Sequence, residues 1–106
     1  MKTPIFLNEH GDISAFRNES AVKLFIEPID VQNAEYAAFS ADGSELTLSV
    51  SKGQVHLVSG MIKEIESDKL LDLINGFFRR TKSSPCEFRT LDAAVEAFIQ
   101  TFGFSE

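Results

Sequence analysis

The sequence predicts an α+β domain: a mainly antiparallel sheet in the order ββα-βββ-αα, with its helices packed on one face. Three observations predict it. Leu46, Leu48 and Val50 alternate with Thr47, Ser49 and Ser51, the period-2 signature of a strand with one dry and one wet face. Asp42-Gly43, just before that run, and Lys52-Gly53, just after it, are hairpin turns that join it to strands on either side. Two helical stripes follow, one through Leu70, Leu71, Ile74, Phe77 and Phe78, the other through Leu91, Ala94, Val95, Phe98, Ile99 and Phe102.

The chain opens with two short apolar runs, residues 4–7 and 13–16, around the turn-rich Asn8-Glu9-His10-Gly11-Asp12, and these read as a hairpin. Asn18 caps a helix, and Glu19 in its first turn suits the positive end of the helix dipole. Val22, Phe25, Ile26 and then Ile29 lie at i, i+3, i+4 and i+7, and the helix is held by packing Val22 and Phe25 on the sheet. Pro28 disfavours helical backbone at Glu27, so that helix stops near Ile26 and a short polar crossing follows. Residues 35–41 form the next strand, with Tyr36 and Ala38 on one face and Ala37 and Phe39 on the other. After residues 54–58, with Val55 and Leu57 inward and His56 outward, residues 60–66 are ambiguous between strand and crossing. Ser67 and Thr90 cap the last two helices, and Gly103 stops the final one. One layer of helices leaves Thr47, Ser49, Ser51, Gln54 and His56 on an open polar face.

At 106 residues the chain is a single domain, 1–106, around one core. Ten Phe, one Tyr and no Trp put nearly all aromatic surface in rings without a polar tip, which favours burial. The net charge is −6, which argues against nucleic acid and against anionic membrane surfaces as partners. The excess is local: residues 1–50 carry eight acids against three bases, whereas residues 51–106 carry eight against seven. A single cysteine allows no internal disulfide, and no apolar run reaches the ~20 residues of a membrane span; the expectation is a cytoplasmic protein.

Chemistry-bearing residues are sparse. Cys86 with His10 or His56 as base would make a nucleophile pair, but no nucleophile-elbow or papain-type context surrounds it. His10-x-Asp12 supplies two metal ligands where a site needs more, and no HxxxH or CxxC occurs. Gly43, Gly53 and Gly60 stand singly at turns, so no phosphate cradle is present, and no cofactor is expected. The carboxylates cluster instead. Glu27, Asp30 and Glu35 flank the Pro28 crossing, and Asp42 and Glu45 bracket the adjacent turn. Such a group serves as solvated surface charge, as an acidic recognition patch, or as acid/base machinery if a cleft perturbs it.

Residues 25–43, with Glu27-Pro28-Ile29-Asp30-Val31, then Glu35-Tyr36 and Asp42-Gly43-Ser44, resemble an LEPIDV-x-N-x-EY-x-x-(Y/F)DA-x-G pattern of small bacterial immunity proteins. The chain departs from what the family leads one to expect at Ala34 and Ser40, Gly at the first and Asp at the second; Asp42 supplies the turn acid. The resemblance spans about a fifth of the chain. It implies a non-enzymatic inhibitor that binds a basic toxin domain, for instance a nuclease, and carries over no contact residue. The charge of the chain itself makes Glu27, Asp30, Glu35, Asp42 and Glu45 the residues that steer approach, with Tyr36 an anchor if exposed and a core residue if its strand turns it inward. The alternative from the residues alone is a domain that binds a small ligand or assembles with copies of itself.

Overall fold

The computed structural model describes residues 2–59, 67–81 and 87–105. The ambiguous residues 60–66 and the linker carrying Ser83-Ser84-Pro85 and Cys86 lie outside them. The elements run β1 (Ile5–Glu9), β2 (Asp12–Phe16), α1 (Glu19–Phe25), α2 (Pro28–Gln32), β3 (Ala37–Ser40), β4 (Glu45–Ser51), β5 (Gln54–Ser59), α3 (Ser67–Arg80) and α4 (Leu91–Phe102). The strands make one antiparallel sheet in the order β2-β1-β3-β4-β5. The fold class and the succession of strands and helices follow the sequence reading, with α2 added where a polar crossing was expected.

Each turn of the sheet has a local cause. At β4–β5, Lys52 (φ 53°) and Gly53 (φ 74°) both take left-handed backbone, the two-residue geometry that matches strand twist. Between β3 and β4, Asp42 does the work. Its carboxylate accepts from the Ser40 hydroxyl and from the Ser44 amide (3.0 Å), while Ser40 N–H donates to Ser44 O at 2.9 Å. Those donors hold the Asp42 carboxyl below its ordinary range, Ser40 contributing most.

The caps expected of Asn18, Thr90 and Gly103 form, while the side chain of Ser67 lies outside the described ones. Asn18 accepts from Ala21 N–H at 2.9 Å, and Thr90 from Ala93 N–H at 3.2 Å. Gly103, at φ 73°, ends α4 and returns its N–H to Ile99 O. α2 starts at Pro28, where a missing N–H costs nothing, and the Glu27 amide donates to Asp30 Oδ2 at 3.1 Å.

The helices do not share one face, and this corrects the expected layering. Along β1, Ile5 and Leu7 point to one side and Phe6 to the other, all three buried. Ile5, Leu7, Phe16, Ala38, Leu46, Val55 and Leu57 meet Ala21, Val22 and Ile26 beneath α1 and α2. Phe6, Ile13, Ala15 and Phe39 meet Leu70, Ile74 and Phe78 of α3 with Ala94 and Phe98 of α4. The physical reason is legible in hindsight: a continuous apolar run is what a strand buried on both faces requires. The open polar surface therefore shrinks to the β4–β5 end, where the cluster under α3 and α4 takes no β4 or β5 residue among those described. There Thr47 pairs with Val58, Ser49 with His56, and Ser51 with Gln54.

Hydrogen bonds tie the α3–α4 layer to the first hairpin and hold it together internally. The Arg80 guanidinium donates to Gly11 O in the β1–β2 turn. Asn75, buried in the middle of α3, donates to Phe88 O (3.1 Å) and accepts from Phe88 N–H (2.9 Å), clamping the segment that leads into α4.

Candidate functional site

The predicted acidic residues split into separate groups. β1 pairs with β3 so that Asn8 faces Ala37, which sets Glu9 at the end of β1 beside Tyr36, the residue just before β3. α2 ends in a tight return in which Ala34 takes φ 54° and Glu35 N–H donates to Asp30 O at 3.0 Å, so Asp30 and Glu35 converge. Ala34 thus occupies a left-handed position, which a glycine would adopt at less cost. The outcome is a cluster of Glu9, Asp30 and Glu35 around the Tyr36 ring and hydroxyl. The phenol is pushed above its ordinary pKa, first by desolvation and then by the negative charge of Glu9, Asp30 and Glu35, with a hydrogen bond to Glu9. His10 lies 3.5 Å from Glu35 at the rim.

Asp42 and Glu45 belong elsewhere. Asp42 is consumed by the β3–β4 turn. Glu45 pairs with Lys69 of α3 at 3.1 Å, and the Lys69 ammonium sits 5.7 Å from the Phe39 ring centre. Glu27 is exposed at the start of α2. Of the six predicted residues, Asp30, Glu35 and Tyr36 form a site, Glu27 flanks it, and Asp42 and Glu45 hold the fold.

The apolar half of this surface escaped the sequence reading. Leu24 is 90% exposed, Ile29 52% and Phe25 45%. Ile29 was expected to continue the buried stripe of α1. The helix stops before Pro28 as expected, but Pro28 also starts α2, so Ile29 leaves the register of α1. Phe25 leans on Phe16 (5.0 Å between ring centres) and on Tyr36 (6.2 Å), so an aromatic row runs from the core edge to the acidic cluster. Leu24 and Phe25 border a hollow of about 260 Å³ with Phe16, Ala21 and Ser105. The available signal was the pair of large side chains, Leu24 and Phe25, falling next to one another on so short a helix: both cannot face the sheet.

A second hollow, of about 370 Å³, opens where β3 and β4 splay after the Ala38–Leu46 pair, between Val31, Tyr36, Ala37, Thr47 and Leu48. His56 lies on β5, across β3 and β4 from the His10 turn, so the two histidines do not meet. Among the described residues no group of three or more His, Cys, Asp and Glu is arranged to hold a metal ion, and no helix is long and apolar enough to cross a membrane. What the Tyr36 surface offers chemically is negative charge beside exposed apolar and aromatic area. No protein-family model, curated protein or solved structure matches this chain.

Proposed function

We propose that this chain is a non-enzymatic protein-binding domain, an immunity-type inhibitor that covers a basic toxin domain with the surface running from Leu24 to Tyr36. The observation that carries the reading is the juxtaposition of Glu9, Asp30 and Glu35 around Tyr36 with the half-exposed Phe25 at its side. Charge of one sign speeds the approach of an oppositely charged partner, and large exposed side chains supply the anchors that retain it. The similarity of residues 25–43 to the immunity-protein pattern supports the same assignment, as does the concentration of excess acid in the first half of the chain. A basic nuclease domain is the kind of toxin whose phosphate-binding surface such a patch would mask.

The test is co-purification with the product of a toxin-like reading frame next to this gene, followed by kinetics of the complex. Replacing Glu27, Asp30 and Glu35 together by Gln slows association about tenfold at low salt and flattens its salt dependence. Leu24→Ala with Phe25→Ala leaves association nearly unchanged and speeds dissociation. Absence of a partner in co-purification, together with the lack of a neighbouring toxin gene, would sink the assignment. An unchanged association rate in the triple variant would remove the steering role of the acidic cluster.

A further inference from the structure

The two edges of the sheet are treated differently. At the β2 edge the C-terminal tail closes over the strand, with Ser105 N–H donating to Ala15 O at 2.9 Å, and β2 itself begins with an acid, Asp12. β5, at the other edge, pairs only with β4 among the described residues. Its sequence, Gln-Val-His-Leu-Val-Ser, holds no proline, no lysine and no acid, the residues that discourage edge pairing when they stand in the strand itself. Val58 on its outward face is 53% exposed. From Leu46 to Ser59 the one ionic side chain is Lys52, in a molecule whose net charge is −6. Two copies would repel one another least along this strand.

We infer that β5 is a self-association edge, at which the β5 strands of two copies of this chain pair antiparallel across a two-fold axis and join two sheets into one. The strand meets the parity condition for this. Residues directly opposite in an antiparallel pair share a face, so the axis must pass through a residue and not between two. Centring it on His56 sets Val55 against Leu57 of the second copy and Gln54 against Val58. Centring it on Leu57 sets His56 against Val58. In both registers Val55 and Leu57, which are buried under α1 and α2, extend their own apolar layer into that of the other copy. Pairing also satisfies the row of N–H and C=O groups that β4 does not use. Tyr36 lies on the other side of β4 from this edge, whereas the α1–α2 junction borders it, Lys23, Ile26 and Pro28 sharing a hollow with Gly53, Gln54 and Val55.

Sedimentation equilibrium of the full chain from micromolar to millimolar concentration tests the proposal. The wild type passes from monomer to dimer over that range. The double variant His56→Lys with Val58→Lys places lysines directly opposite one another in either register and weakens dimerisation at least about tenfold. Thr47→Lys, the same charge on the same face but on the inner strand, leaves it unchanged. Amide exchange of the wild type provides a reading independent of any variant: protection of β5 amides rises with protein concentration while that of β2 does not. A wild type that stays monomeric, β5 protection independent of concentration, or equal weakening by Thr47→Lys overturns the inference.

Discussion

Asn75→Ala is the sharpest test of how the two C-terminal helices are held. The Asn75 side chain is buried and makes a matched pair of hydrogen bonds to the backbone of Phe88, at 3.1 and 2.9 Å. Each such bond contributes about 1 kcal/mol net, so removing both costs about 2 kcal/mol. Leaving a donor and an acceptor unpaired adds to this, but Phe88 is only half-buried and water restores part of the loss. Alanine in the middle of a helix returns roughly half a kcal/mol over asparagine. The balance is a destabilisation of about 2 kcal/mol, or a fall in melting temperature of the order of 10 °C for a domain this size. Urea unfolding measures it, with an unchanged denaturant slope as the check that compactness is preserved. Amide exchange at Phe88 should accelerate more than exchange in β1. A loss below about 0.5 kcal/mol, or a Phe88 amide as protected as before, would refute the clamp; surface substitutions fall in that range.

Other perturbations separate core, turn and site. Phe98→Ala, at a ring that is fully buried and packed edge-on against Phe6 at 5.4 Å and tilted against Phe102 at 5.0 Å, should cost about 3–5 kcal/mol in the same unfolding assay. Ala34→Gly, which usually destabilises, should here be neutral or stabilise by up to about 1 kcal/mol, because φ 54° is left-handed. Tyr36 is the sole tyrosine, so tyrosinate absorbance reports its titration alone. Its ionisation should come above the ordinary range and move part of the way back in a Glu9→Gln, Glu35→Gln variant, with the desolvation share remaining. Because the folded phenol is raised, the stability it confers is complete below the unfolded pKa and is lost as pH rises through the folded one. Asp42 is the opposite case. Its lowered carboxyl stabilises the fold above the ordinary aspartate range and the contribution disappears as pH falls through the folded value, so Asp42→Asn should flatten the acid limb of the stability profile.

Local rules carried the sequence reading a long way. Asn18, Thr90 and Gly103 mark helix ends because capping is decided within three or four residues of chain. β4 and β5 were legible because alternation and a two-residue turn fix both face and register. Long-range decisions were not. Nothing near Phe6 announces that α3 and α4 will cover its side of the sheet, although the unbroken Ile5-Phe6-Leu7 run carried the hint. Asn75 reads as an interruption in a helical stripe, and its partner lies thirteen residues on. At the candidate site, the acids around Pro28 were found by composition, but their division between Tyr36 and the β3–β4 turn depends on strand register. Glu9 belongs to the first hairpin, far in sequence from Asp30 in α2 and Glu35 in the return that follows it, so no local signal groups the three.

β1 is an inner strand of the sheet as well as the first in the chain, a wall that sends alternate side chains into two separate apolar compartments. A wall shared in this way means that neither compartment can melt while the other stands. Loosening at Phe6 would be felt through the backbone at Ile5 and Leu7, and so under α1. The surface around Phe25 and Tyr36 thus owes its rigidity partly to helices on the far side of the sheet that never touch it.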